Sequence, residues 1–164
     1  MTIFSCKKDR LKGEVDIFVG EWKLEKTIFR GRSRGGGCWV DTLVRNCDIT
    51  LIIKKSGRVS LIVNGEKEKF LISYDKSHLD DNFLGGNNWT EQEPLKFGCS
   101  ANDITNSKFS YLGLKFYSKI DDREYNPGCY VNDSELILKT DDDNKIIDGF
   151  SSNPISTYYR FWKR

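Results

Sequence analysis

The sequence has few of the residues on which several common chemistries depend. Its 164 residues include one histidine, His78, and five cysteines, none of which forms a C-x-x-C pair. A Ser-His-Asp or Cys-His arrangement would have to use His78, and no serine lies in a G-x-S-x-G context. The same scarcity argues against a zinc site, whose ligands usually come as spaced cysteine and histidine pairs. We predict that the protein is not an enzyme and holds no metal ion or other cofactor.

Long apolar runs and a strong excess of one charge are also absent from the sequence. No stretch reaches the roughly 18 apolar residues that a membrane-spanning helix needs. Lys and Arg number 26 against 24 for Asp and Glu, and the net charge of +2 gives little attraction for nucleic acid. With 38% hydrophobic and 13% aromatic residues, the chain has the composition of one ordinary globular domain. We predict no nucleic-acid partner.

What the sequence does contain is a succession of short runs in which apolar and polar residues alternate. Residues 49–53, 59–63 and 67–74 alternate in this way, and Asn64-Gly65 separates the last two runs. Asn-Gly is a strong signal for a tight hairpin turn, because both residues tolerate a positive φ. Alternation with a period of two predicts antiparallel strands.

Many short strands joined by polar turns, with little helix, are typical of a barrel or a sandwich. We predict an all-β fold, an antiparallel up-and-down β-barrel, with a β-sandwich as the alternative. No change of composition marks a second domain. We assign residues 1–15 to an N-terminal tether and residues 16–164 to the barrel domain.

Two segments resemble the first and last strands of lipocalin-like barrels. In "FVGEWKLEKT", Gly20 and Trp22 match the Gly-x-Trp opening strand of that family, and "STYYRFWKR" is similar to its final strand. An arginine of that last strand packs over the tryptophan, where it gains cation–π attraction and can bind backbone carbonyls. The resemblance implies this structural role for Arg160, with Arg164 as the second choice. The alternative is that Trp22 is an ordinary core residue.

The residues around Cys6 resemble a bacterial lipoprotein signal. In "IFSCKKD", an aliphatic, a tolerated and a small residue precede the cysteine, and the following residues are similar to the start of mature lipoproteins of the Bacteroidetes. The basic region and most of the apolar core of a signal are missing, so residues 1–15 would be a truncated signal, anchor and tether. The resemblance implies a lipid anchor on Cys6, a cell-envelope location and no other membrane contact. If Met1 is the true start, the alternative is a cytoplasmic protein in which Cys6 is a plain thiol.

Four cysteines remain if Cys6 carries the anchor: Cys38, Cys47, Cys99 and Cys129. An even number in an oxidising compartment predicts two disulfides, and the sequence leaves three pairings open. We favour Cys38 with Cys47, which flank a short segment, and Cys99 with Cys129, which flank a strand. The alternative is four reduced thiols buried in a cytosolic protein.

The segment "FRGRSRGGGCW" places Arg30, Arg32 and Arg34 beside three glycines. Such a segment could bind nucleic acid or form an anion nest. A single basic element in a chain of balanced charge instead favours a flexible loop between the first two strands. That loop often covers the open end in lipocalin-like barrels, so these arginines, with Tyr111 and Phe116 of a later strand, are candidate ligand or lid residues.

The resemblance to lipocalin-like barrels implies a binding function. We expect a cell-envelope lipoprotein whose barrel binds a small apolar or amphipathic molecule. The alternative is a protein-interaction or inhibitor module built on a filled, non-binding barrel. The volume of the interior side chains discriminates between the two, and the large residues of the run 108–119 suit either one.

Overall fold

A computed structural model describes residues 11, 13–32, 35–43, 48–73, 93–96, 99, 104–141 and 157–164. These residues form twelve strands and one 3-10 helical turn, Gly13–Phe18, and none of them is α-helical. No helix in this part of the chain is long and apolar enough to cross a membrane. The strands are β1 (Gly20–Arg32), β2 (Cys38–Leu43), β3 (Ile49–Ile53), β4 (Arg58–Val63), β5 (Glu66–Ser73), β6 (Glu93–Lys96), β7 (Ile104–Gly113), β8 (Lys115–Ser118), β9 (Arg123–Tyr125), β10 (Gly128–Val131), β11 (Glu135–Asp141) and β12 (Thr157–Lys163).

The strands form one antiparallel sheet that is curled into a half-barrel. Two paths of paired strands, which we together call the ring, follow its curve. Pairing runs from β1 through β3, β4 and β5 to β8, and from β7 through β10, β11 and β12 back to β1. Only Leu114 separates β7 from β8, so the two paths end on one extended segment. β2 pairs with β1 and β6 with β7, both beside this ring. The predicted all-β antiparallel fold is therefore confirmed. The single curled sheet has the form of a half-barrel, which agrees with the barrel prediction and not with the sandwich alternative.

The meander predicted from residues 49–74 is confirmed as β3, β4 and β5. The turn between β4 and β5 has a positive φ at both central residues, 50° at Asn64 and 87° at Gly65. These values are the ones that a hairpin turn of this length needs, and few other residue pairs adopt them without strain. The local sequence therefore fixes the register of this hairpin.

The inner face of the ring follows from the register, because directly paired residues of an antiparallel ladder point to the same side. The strands of the ring other than β7 contribute inward-facing side chains to one apolar cluster, which we call the inner cluster. Its strand members are Trp22, Ile49, Leu51, Ile53, Val59, Leu61, Phe70, Ile72, Phe116, Tyr125, Cys129, Val131, Leu136, Leu138 and Trp162.

The two ends of the barrel differ. Where β1 begins, the 3-10 turn and the residues before it add Leu11, Val15 and Phe18 to the inner cluster. We call this the closed end, and we call the other end, where β1 stops and β5 and β12 begin, the far end. Leu11 and Val15 fall within the stretch assigned to a tether, yet both are 1% exposed. The packed part of the chain therefore begins before residue 16.

β1 turns its other face inward partway along its length. Its pairing with β12 shifts register between Leu24 and Lys26, which is the signature of a β-bulge. Beyond the bulge, Thr27 pairs with Arg160 and Phe29 pairs with Tyr158. These two residues of β12 alternate with the inward Trp162, so Thr27 and Phe29 also face the interior.

Candidate functional site

The tryptophan of the Gly-x-Trp segment lies at the closed end. Trp22 is fully buried, and its Nε1 donates a hydrogen bond to the Phe18 carbonyl oxygen at 2.9 Å. The Arg164 guanidinium lies over the Trp22 ring, 4.5 Å from its centroid, and donates to the Ile17 carbonyl oxygen at 2.6 Å. The structural role implied by the resemblance is therefore filled by Arg164, the second choice.

Arg160, the first choice for that role, lies elsewhere, and that assignment is wrong. Arg160 is paired with Thr27, which lies five residues from Trp22, roughly 16 Å at about 3.3 Å per residue of strand. It faces the interior and is 3% exposed. Its Nη1 donates to the Thr140 hydroxyl, and its guanidinium lies 5.0 Å from the centre of the Tyr158 ring.

The interior toward the closed end is filled by side chains. Trp22, Phe116, Leu136 and Trp162 are each 0% exposed. Side chains that are packed so closely leave few voids larger than a water molecule. Phe116, predicted as a ligand or lid residue, belongs to this packed core. A site for a small molecule would therefore have to lie nearer the far end.

Three aromatic side chains line the inner side of the barrel toward the far end. The Phe29 ring lies 4.7 Å from the Trp39 ring and 5.0 Å from the Tyr158 ring, centroid to centroid. Trp39 pairs with Gly31, and a Cβ added to Gly31 would lie 2.4 Å from the indole. The missing side chain at Gly31 thus makes room for the indole. We call Phe29, Trp39 and Tyr158 the aromatic wall.

The aromatic wall combines an exposed apolar surface with buried polar groups beneath it. Trp39 is 48% exposed, although large apolar side chains of the barrel are mostly buried. Thr27 and Arg160 lie on the closed-end side of the wall, and Thr140 lies beside it, paired with Tyr158. All three are buried. Covering an exposed indole is favourable by about 25 cal/mol for each Å² removed from water. The sequence signal for this site was the Phe29-x-Gly31 alternation followed by a turn and Trp39.

The predicted lid residues of β1 and β7 do not line the interior. Arg30 lies on the outer face of β1, between inward-facing Phe29 and Gly31. Tyr111 lies on the outer face of β7, where its ring is 4.8 Å from that of Tyr130. This corrects the assignment of both residues to a ligand site. Arg32 is the last residue of β1, and Arg34 lies outside the described residues.

A second apolar cluster, which the sequence did not reveal, lies on the outer face of the barrel. Phe109, Ile137, Tyr159 and Phe161 belong to it and are between 0% and 5% exposed. Burial raises the pKa of the neighbouring Tyr130 to about 12, and nearby Tyr111 and Tyr159 add to the effect. Tyr130 therefore stays neutral over the physiological range, which fits a packing role.

Among the cysteines that the structure describes, one pair is bonded, and it is not one of the pairs we favoured. Cys38 is bonded to Cys99, with their Cα atoms 5.7 Å apart. Cys129 is free and buried in the inner cluster, so it cannot reach the exposed Cys99 through the barrel wall. The pairings of Cys38 with Cys47 and of Cys99 with Cys129 are therefore wrong. Cys6 and Cys47 lie outside the described residues.

The Cys129 thiol is held in its neutral form by its surroundings. Burial raises its pKa from 9.0 to about 12, and a backbone hydrogen bond from Leu114 offsets part of this effect. The thiolate is the reactive form of cysteine, so a buried neutral thiol is inert. Cys129 is a core residue and not a nucleophile.

The described residues contain no group of three or more His, Cys, Asp or Glu side chains that could hold a metal ion. No protein-family model, curated protein or solved structure matches the chain. A functional assignment therefore has to rest on the barrel and on the geometry of its two ends.

Proposed function

We propose that the protein is a lipocalin-like binding protein that takes a small apolar or amphipathic molecule at the far end of its barrel. The observation that carries this proposal is the Trp39 indole, which is 48% exposed on the inner side of the barrel. Small-molecule sites are concave, mostly apolar surfaces with a few polar groups. The aromatic wall, with Arg160 and Thr140 beside it, has that composition.

The filled core sets the depth of binding in this proposal. Because Phe116 and Trp162 leave no exposed surface toward the closed end, the ligand lies on the core instead of inside it. An aromatic ligand would stack on Trp39 and Phe29, since offset or tilted ring pairs add about 0.5–1.5 kcal/mol beyond area burial. A polar group on the ligand would face Arg160.

The binding test uses 1-anilinonaphthalene-8-sulfonate, an aromatic sulfonate whose emission rises in apolar sites. Trp39→Ala is expected to weaken its binding about tenfold, which corresponds to about 1.4 kcal/mol. Gly31→Ala should weaken it too, because the added Cβ would lie 2.4 Å from the indole and displace it. Ile120→Ala is the matched control, since it removes another exposed apolar side chain of the far end.

Equal affinity of the wild type, Trp39→Ala and Gly31→Ala would contradict binding at the aromatic wall. Near-ultraviolet circular dichroism of each variant guards against probe uptake by a loosened core, because such states lose that signal. A variant that keeps its native spectrum and loses the probe supports the proposal.

A protein-interaction module is the second candidate. The filled core favours it, as does the position of Trp39 and Ile120, the large hydrophobic residues that are exposed among the described residues. Both lie at the far end, and aromatic residues are enriched at the centres of interfaces. This candidate requires that the wild type take up no probe. It also requires that the double variant Trp39→Ala/Ile120→Ala lose a defined partner from the host's envelope fraction.

In this proposal, the protein is anchored to a bacterial cell envelope through a lipid on Cys6. The resemblance around Cys6 supports the anchor, and the Cys38–Cys99 disulfide fits an oxidising compartment. Intact-mass spectrometry of protein from host membranes should find a chain that begins at a lipidated Cys6. A chain that retains an unmodified Met1 would contradict the anchor and favour the cytoplasmic alternative.

A further inference from the structure

A groove lies at the far end on the side of the barrel opposite the aromatic wall. It has a volume of about 320 Å³, and its lining residues are Leu61, Val63, Glu66, Lys67, Glu68 and Ile120. These residues come from β4, β5 and the turn between β8 and β9. In the order of the ring, β4 and β5 are separated from β1 and β12 on both sides. The groove is therefore distinct from the aromatic wall.

The register of β4 and β5 places apolar and acidic side chains together in this groove. Leu61 pairs with Glu68, and Val63 pairs with Glu66. Leu61 is a member of the inner cluster and Val63 packs against it, so all four side chains lie on the inner face. The two carboxylates are two residues apart on one strand, roughly 7 Å along its length.

The turn between β8 and β9 supplies an apolar edge that is held in place. The Tyr117 hydroxyl donates to Asp122 Oδ1 at 2.6 Å, and the Tyr125 hydroxyl donates to Asp121 Oδ2 at 3.0 Å. Between these anchored positions, Ile120 is 75% exposed. An exposed side chain on an ordered turn can be covered by a ligand with little loss of conformational entropy.

The charge of the groove is unbalanced. Glu66 and Glu68 carry two negative charges and Lys67 one positive charge, so the charged residues that line it have a net charge of −1. Neither carboxylate forms a hydrogen bond or an ion pair with any residue in the described part of the chain. A cation with an apolar tail complements both these carboxylates and the apolar floor.

We propose that this groove binds the primary ammonium group of a small alkyl amine. The ammonium lies between the Glu66 and Glu68 carboxylates and donates charge-assisted hydrogen bonds to them. The alkyl chain lies along Leu61, Val63 and Ile120. The volume of about 320 Å³ is at the low end for small-molecule sites, which suits a short chain. This inference goes beyond the proposed function, since it concerns a different surface and does not need the aromatic wall.

The test compares octylammonium, octanoate and 1-octanol, which share a chain and differ in charge. Calorimetric titration at neutral pH and low ionic strength should show octylammonium binding about tenfold more tightly than the other two. The double variant Glu66→Gln/Glu68→Gln should remove that preference. The matched control is Glu21→Gln/Asp133→Asn, which changes the net charge equally at two exposed positions of the closed end.

Two kinds of NMR spectra, of the methyl groups and of the tryptophan indole N–H groups, separate failure of this inference from failure of the proposed function. Octylammonium should shift the methyl resonances of Leu61, Val63 and Ile120 and leave the Trp39 indole resonance in place. Equal affinity for octanol and octylammonium, or shifts confined to Trp39, would overturn the ammonium site. An unchanged preference in the Glu66→Gln/Glu68→Gln variant would overturn it as well.

Discussion

Replacing Trp22 by alanine is expected to lower the free energy of unfolding by about 3–5 kcal/mol, the range for loss of a large buried aromatic side chain. Trp22 is 0% exposed and belongs to the inner cluster, so its loss leaves a cavity that the surrounding strands fill only in part. The substitution also removes the hydrogen bond from Nε1 to the Phe18 carbonyl oxygen. Leaving such a buried acceptor unpaired costs about 1–3 kcal/mol and contributes to the total.

Chemical denaturation monitored by far-ultraviolet circular dichroism measures this effect. Trp39→Ala is the control, since the Trp39 side chain is 48% exposed and its removal should cost much less. Arg164→Ala removes the guanidinium that lies over Trp22. This variant should lower the free energy of unfolding by about 1 kcal/mol, the scale of a cation–π contact at an exposed site. A Trp22→Ala variant as stable as Trp39→Ala would show that the closed end is not the structural anchor.

Removing the Cys38–Cys99 disulfide is expected to lower the free energy of unfolding by about 2–4 kcal/mol. The bond joins residues 61 positions apart, and in the chain-entropy model a crosslink of that span restricts the unfolded chain strongly. It also links β2, which pairs with β1, to the residues that follow β6. The double variant Cys38→Ser/Cys99→Ser removes this bond and keeps both side chains small.

The matched control for the disulfide is a reductant. Dithiothreitol should lower the unfolding temperature of the wild type to about that of the double variant, and should leave the double variant unchanged. A wild type insensitive to reductant, with a difference in unfolding free energy below about 0.5 kcal/mol, would mean that the bond adds no stability.

The sequence predicted the strands because alternation and turn chemistry are local. Residues 49–74 formed the expected meander, and Asn64-Gly65 formed the expected turn. The position of Trp22 was also predictable, since a Gly-x-Trp segment before a series of hairpins resembles a known family. Features set by neighbouring residues in the chain were thus available from the sequence alone.

Features set by distant residues were not available in this way. The choice between Arg160 and Arg164 depended on the register of β12 against β1, which a bulge after Leu24 alters. The run 108–119 is apolar on both faces, and nothing in its pattern indicated that Tyr111 lies on the outer face. The reason is a second buried cluster on the outer face, which includes Phe109.

The disulfide was missed for the same physical reason. Closeness in sequence favoured Cys38 with Cys47, but the sheet brings Cys38 within reach of Cys99, 61 residues away. Cys129 had no visible sign of facing inward, because the alternation of β10 is short. Pairing over such distances is decided by the order of strands around the barrel, which spacing does not encode.

The most direct test of binding at the far end is an NMR titration that follows the indole N–H resonances of the tryptophans. On addition of 1-anilinonaphthalene-8-sulfonate, we predict that the Trp39 resonance shifts in a saturable manner. The resonances of Trp22 and Trp162, both 0% exposed in the filled core, should stay in place. Saturable shifts of Trp22 or Trp162 with an unmoved Trp39 would place the ligand inside the barrel and contradict binding at the aromatic wall.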